Sequence, residues 1–402
     1  GVWEYVEKFD EYYLHLFDVT QPDLNWDNEE VRKELQKVIR FWMGKGVKGF
    51  RFDVVNLISK SVYEDDYEGD GRRFYTDGPN IHRYLRELNA ATFGTDTEII
   101  TVGEMSSTSM ENCYQYGNGD GKELSMVFSF HHLKVDFMGN EKWVLVPADF
   151  QKLKNILFSW QKGMQEHNAW NAVFWCNHDQ PRVVSRFGNE GRYWKASAKM
   201  LAATIHLLRG MPYIYQGEEL GMTNAGFTDI SQYRDVESLN HFRILQDKGL
   251  TEADAYRILQ VHSRDNSRTP MQWTAEKNAG FTQGKPWMPV NPNHTVINAQ
   301  AQVGDPGSVF SFYQKLIRIR QEYDVVIDGR FELLMPEDEQ VFAYIRDDGK
   351  QRMLVICNFS DRDAVLTADA QMEGRILLGN YDEEGEKQKL RPWETRIVIL
   401  KE

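Results

Sequence analysis

Apolar positions along the 402-residue chain change period several times, and the changes mark its elements. Val31, Leu35, Val38, Ile39 and Trp42 recur at helical spacing and predict a helix over 29–43, opened by Asp27 and Glu30 as a capping box and stopped by Gly44 and Gly46. Val47, Phe50, Phe52, Val54, Val55 and Leu57 then predict a strand over 47–55 buried on both faces. The alternation continues with a helix over 79–93, a strand at 100–104, a strand in LSMVFSF (124–130) and a helix over 149–164. A strand in NAVFWCNHD (171–179) follows, then a helix over 193–209 closed by Gly210, and a strand in PYIYQGEE (212–219). Five buried strands joined by helical crossovers predict a parallel sheet covered on both faces.

Each of these strands runs into a polar cluster, at Asp53, Glu104, His131, Asp179 and Glu218. Function gathered at the carboxyl ends of strands is the pattern of a (β/α)8 barrel with its active site on the top face. Residues 221–304 are rich in polar residues, Gly, Asn and Pro and are expected to be an insertion with short helices of its own; a last barrel helix is expected over 308–323. Beyond about 326 the runs shorten to FELLM, VFAYIRD, RMLVICNF, AVLTA, GRILLGNY and TRIVILK, punctuated by turn residues such as Asp347, Asp348 and Gly349. The predicted organisation is α/β, with a partial barrel over 1–325 and a small antiparallel β-sandwich over 326–402.

Composition narrows the function. The formal net charge of -13 argues against nucleic acid as a general partner, so any anion must be captured by a local basic cluster. No run of 18 apolar residues is present, which argues against a membrane span. Cys113, Cys176 and Cys357 are odd in number and lack metal-ligand spacing, as expected of buried thiols in a reducing, cytoplasmic compartment. Aromatic residues make up 13% of the chain, enough to furnish both a large core and flat rings that stack on sugars.

Two charges interrupt the strand KGFRFDVVNL: Arg51 and Asp53. An unpaired buried ion costs several kcal/mol, so the pair must satisfy each other or serve chemistry. Arg51 lies two residues before Asp53, on the same strand face, where it can hold the carboxylate ionised. With Glu104 and Asp179 this makes three carboxylates at strand ends. Glycoside hydrolysis uses such groups, one to attack or support the sugar carbon and one to protonate the leaving oxygen.

GFRFDVVNL, TVGEM around Glu104 and WCNHDQPR around Asp179 resemble three signature regions of glycoside hydrolase family 13, the α-amylase superfamily. QPDLN (21–25) and SRDNSRTPMQW (263–273) resemble elements of its oligo-1,6-glucosidase branch. The resemblance implies Asp53 as nucleophile, Glu104 as general acid and base, and Asp179 as the carboxylate gripping sugar hydroxyls in the transition state. It also implies net retention, with the Asp53 and Glu104 carboxyls about 5 to 5.5 Å apart. His178 is implied as a sugar-hydroxyl ligand, and Arg264 or Arg268 as pocket lining.

Within that branch, GDGRRFYTDGP (69–79), VGEMSSTS (102–109), FSFHHLKVDF (128–137) and GNEKW (139–143) carry a closer resemblance to members acting on a phosphorylated disaccharide, α,α-trehalose 6-phosphate. A phosphate dianion needs local cations, and His131, Lys134 and Lys142 are expected to grip it, with Arg72 and Arg73 as secondary candidates. The alternatives are hydrolysis of neutral isomalto-oligosaccharides by the same carboxylates, and a non-catalytic barrel serving as a binding module. GDGRRF lacks the spaced acidic ligands of a calcium loop; no metal ligand set and no cofactor are identified, and the expected partner is a small-molecule substrate. The family's barrel has three strand-and-helix units ahead of the one carrying the nucleophile. This sequence is therefore expected to be a segment of a longer enzyme or to be completed by another fragment.

Overall fold

The computed structural model describes residues 2–367, 370, 373–383 and 385–401. The chain forms two compact units: Gly1–Ser129 with Glu166–Asn171, and Phe130–Gln165 with Ala172–Glu402.

The first unit opens on an antiparallel hairpin, Trp3–Val6 with Glu11–Leu14, which the hydrophobic pattern does not announce. Helix Glu29–Gly44 follows, and Asn28 rather than Asp27 caps it, its side chain accepting from the amide of Glu30. The Asp27 carboxylate is occupied by the hydroxyls of Tyr84 and, at 3.3 Å, Tyr63. This helix buries Arg32, Gln36 and Ile39, while Val38, Phe41 and Trp42 remain exposed. Arg32 donates to Glu87 at 2.9 Å, so a polar seam joins the helix to its neighbour, Ile81–Ala91.

Three parallel strands follow in sequence and in pairing: Gly49–Phe52, Ile100–Glu104 and Met126–Phe128. The first is shorter than the expected 47–55 and is not buried on both faces, since Arg51 stands open to solvent. It ends because Val54 turns into left-handed backbone (φ 33°) and Val55–Leu57 winds into a 3-10 turn. A Cβ at Gly103 would come within 2.5 Å of the tip of the Leu124 side chain and 2.6 Å of the tip of Met105, both of which would have to shift.

Helix Phe150–Glu166 precedes strand Asn171–Val173, whose last two residues, in the second unit, pair in parallel with Met211–Pro212. Both strands are far shorter than the apolar runs that contain them, and Glu218–Leu220 is a 3-10 turn. Helix Trp194–His206 is buried along most of its length. The polar stretch after 221 contains helices Val236–Asp247 and Glu252–His262 around Trp143, Phe227, Tyr233 and Phe242. Helix Val309–Glu322 is capped by Ser308.

Five antiparallel strands then form a sheet in the order Gly374–Gly379, Thr395–Leu400, Arg352–Asn358, Val341–Asp347, Arg330–Leu334. A second, two-stranded sheet pairs Ala364–Val365 with Lys389–Leu390. Leu366, Leu390, Ile356 and Val398 belong to the core cluster of this region. Ala368 of the AVLTA run lies outside the described residues. All three cysteines are free thiols and buried. Among the described residues no helix is long and apolar enough to cross a membrane.

Candidate active site

In the first unit the parallel register sets Phe52 beside Gly103, so Asp53 and Glu104 emerge one step further on, at neighbouring strand ends. Arg51 Nη1 donates to Asp53 Oδ1 at 2.7 Å, and Nη2 donates to Glu104 Oε2. One guanidinium thus holds an oxygen from each carboxylate, and its rigid fork limits how far apart they can drift. The two acids differ in access: the Asp53 side chain is 71% exposed and that of Glu104 only 11%. An open carboxylate beside an enclosed one is the asymmetry that nucleophile and proton donor require.

In the second unit Asp179 lies beyond the end of its strand, in a turn where its amide donates to Asn177 Oδ1 at 2.8 Å. Arg268 Nη2 reaches Asp179 Oδ1 at 2.7 Å, and its Nε donates to the His178 carbonyl at 2.8 Å. Arg264 reaches Asp179 at 3.3 Å and Asp235 at 2.7 Å. His178 Nε2 stands 3.3 Å from Asp179 Oδ2. Four predicted residues, His178, Asp179, Arg264 and Arg268, therefore meet in one cluster.

Asp235 and Glu237 complete that cluster and were not foreseen. Burial opposes ionisation of Asp235, but the hydrogen bond and charge of Arg264 together with the hydrogen bonds from Ser238 outweigh it and leave the pKa below the ordinary carboxylate value. Burial likewise opposes the Arg264 charge, and Asp235 and Glu237 more than offset it, raising its pKa. Arg264 Nε lies 3.2 Å from Glu237 but is not aligned as a hydrogen bond. Buried Arg182 secures the loop, donating to the carbonyls of Gln216 at 2.6 Å and Asn266 at 3.3 Å. The only sequence hint of Asp235 is its place as a helix N-cap, accepting from Ser238.

The expected phosphate ligands sit differently from one another. His131 opens the 3-10 turn His131–Leu133 and Lys134 follows it, both partly buried, with the His131 ring 5.7 Å from that of Trp160. Lys142 pairs with Glu237 at 3.0 Å and lies 4.6 Å over the Trp143 ring. Burial lowers its pKa against the opposing pull of Glu237, so much of its charge is already engaged. His132 is buried, bonds the Phe174 carbonyl at 2.8 Å, and is pushed down to about 4 by burial, so it is neutral near pH 7. Arg72 and Arg73, the secondary candidates, pair with Asp70 and with Asp66 and Glu68. Asp23 pairs with the buried Lys60.

Two carboxylates sharing one arginine at the ends of adjacent parallel strands in the first unit, and in the second a carboxylate held by two arginines, are groups of the kind that glycoside hydrolysis uses. The family follows from comparison with known proteins. Residues 1–329 match the family described as alpha amylase, catalytic domain, and residues 331–386 match the maltogenic amylase C-terminal domain. The chain belongs to the α-amylase family: its catalytic region is of the TIM-barrel class and is followed by a C-terminal antiparallel β-sheet domain.

It is 54% identical over 408 residues to trehalose-6-phosphate hydrolase of Bacillus subtilis (strain 168), covering 100% of this chain and 72% of that protein. Against probable oligo-1,6-glucosidase 2 of the same organism it is 45% identical over 413 residues, covering 99% and 73%. The crystal structure of Bacillus licheniformis trehalose-6-phosphate hydrolase superposes with a TM-score of 0.94 at 50% identity, covering 100% of this chain and 74% of that one.

Proposed function

We propose that this chain carries the catalytic groups of a retaining α-glycosidase that hydrolyses α,α-trehalose 6-phosphate to glucose and glucose 6-phosphate. The observation that carries the reading is the carboxylate pair on Arg51. Asp53 attacks the anomeric carbon while Glu104 protonates the departing glycosidic oxygen, giving a glycosyl ester. Glu104 then takes a proton from water, which displaces Asp53 and restores the starting configuration. Asp179, oriented by Arg268 and Arg264, accepts hydrogen bonds from sugar hydroxyls, and His178 supplies a neighbouring contact.

The phosphorylated substrate is favoured by the higher identity to the trehalose-6-phosphate hydrolase than to the oligo-1,6-glucosidase. His131, Lys134 and Lys142 are the groups we assign to the phosphate. Sugar phosphates do not cross membranes unaided, and the three buried free thiols suit the same reducing compartment, so the reaction is assigned to the cytoplasm. The test is hydrolysis of trehalose 6-phosphate, trehalose and isomaltose by the intact enzyme. Trehalose 6-phosphate is expected to give the highest kcat/KM. A higher value on isomaltose would replace this reading by the neutral oligo-1,6-glucosidase.

A further inference from the structure

Immediately after Asp53 the backbone is strained. Val54 adopts φ 33° and ψ 43°, the left-handed region that a β-branched residue rarely enters. Asp77 (φ 50°) and Ser107 (φ 53°) occupy the same region close by. Such conformations persist where the surroundings over-determine them. Here the surroundings converge on one side chain, Asn56, which is fully buried.

Asn56 Nδ2 donates to the Ser106 carbonyl at 2.8 Å, and its Oδ1 accepts from the Ser106 amide at 2.9 Å. Nδ2 also donates to Asp77 Oδ1 at 3.1 Å, and the Asn56 carbonyl accepts from the Asp77 amide at 3.0 Å. Asp77 is braced in turn by Thr108 and Tyr116, each at 2.5 Å, and by Asn112 at 2.9 Å. Asn56 stands three residues after Asp53, and Ser106 two after Glu104. A single amide therefore joins the loop leaving the nucleophile to the loop leaving the proton donor, with a paired donor and acceptor like a rung of a sheet.

We propose that Asn56 is a positioning residue: its two-point clamp on Ser106, braced by Asp77, fixes the separation of Asp53 and Glu104 and holds Val54 in its strained conformation. Arg51 restrains the two carboxylates from their tips, and Asn56 restrains them from their backbones. The proposal rests on the assignment of Asp53 as nucleophile and Glu104 as acid and base. Its reaction is the one already stated, and the clamp contributes geometry alone. Misplacement by an ångström at a reacting centre costs rate far more than affinity.

The test compares Asn56→Ala with the double variant Asn56→Ala/Val54→Gly in the intact enzyme, reading kcat, KM, the pH profile of kcat/KM and Tm. Glycine adopts the left-handed region without strain, so the double variant should recover part of the lost Tm, the rest being the unpaired Ser106 and Asp77 groups. Asn56→Ala should lower kcat about 10- to 1,000-fold with KM within about threefold, and displace a limb of the pH profile, because the coupling of two carboxylates depends on their spacing. The double variant should stay equally slow. Recovery of kcat together with Tm, or an unmoved kcat and pH profile, would overturn the proposal and leave Asn56 as packing only. If Asn56→Ala gives no folded protein, the double variant and Asn56→Ser supply the same readings. Asp53→Asn and Glu104→Gln serve as controls. Activity surviving in those would defeat the carboxylate assignment itself, a failure distinct from that of the clamp.

Discussion

Arg51 performs a task that its charge alone does not explain. Its two terminal nitrogens hold Asp53 and Glu104 separately, which a lysine ammonium at the end of a flexible stem cannot reproduce. Arg51→Lys should therefore reduce kcat/KM about 100-fold, roughly 2.7 kcal/mol of transition-state stabilisation, with little change in Tm; steady-state kinetics beside calorimetry checks both. The two lysines assigned to phosphate should diverge. Lys134→Ala should raise KM for trehalose 6-phosphate about 10- to 150-fold, equivalent to about 1.5 to 3 kcal/mol, at nearly constant kcat, because a remote phosphate is held alike in ground and transition states. Lys142→Ala also strips Glu237 of its partner beside Arg264, so it should lower Tm as well, and thermal unfolding of the two variants separates them. Arg51, Asp53 and Glu104 were legible in the sequence because each breaks or ends an apolar run. Asp235 and Asn56 were not, since a polar residue in a polar stretch, or an Asn after a strand, signals nothing until its partner is placed.

Apart from the opening hairpin, the main helices and strands were legible in kind and order, less so in extent. The apolar runs 47–55, 171–179 and 212–219 each predict a strand, but only four, three and two of their residues or immediate neighbours are strand. Outside the strands Val55, Phe174, Trp175 and Cys176 are buried without ladder pairing, while Ile214 is exposed. Hydrophobicity reports burial, and only pairing makes a strand. The helix at Glu29–Gly44 shows a related limit. Its period is helical, yet the face it buries is centred on Arg32, Gln36 and Ile39, because the Arg32–Glu87 ion pair seats the helix. Its start at residue 29 is as expected, but the capping residue differs for a physical reason: the Asp27 carboxylate is held by tyrosines, leaving Asn28 to accept the amide. Asn28→Ala should consequently cost about 0.5 to 2 kcal/mol, read as a lower denaturant midpoint, with activity retained in the folded fraction.

At the scale of the whole molecule, buried titratable groups set opposing limits on stability with pH. Burial lowers His132 and His262 to about 4 and His206 to about 3, from an ordinary value near 6.5. Their contribution is present above about pH 6.5 and is lost as pH falls through those folded-state values, when unfolding releases imidazoles to protonate. Glu218 acts in the opposite sense. It is buried, accepts from the Tyr313 hydroxyl at 3.0 Å through one oxygen, and has no hydrogen-bond partner for the other among the described residues. Burial raises it from 4.5 to about 7, with Glu219 adding to the rise and the Tyr313 bond opposing it. Its contribution is whole below pH 4.5, where both states are protonated, and is lost progressively until pH exceeds about 7. Glu218→Gln keeps a neutral group of the same shape and should remove that slope. Relative to the parent, the variant should gain about 2 to 3 kcal/mol of stability between pH 5 and pH 8. Denaturant unfolding at the two pH values measures the difference, and an equal offset at both would mean that Glu218 is already ionised in the folded chain at pH 5.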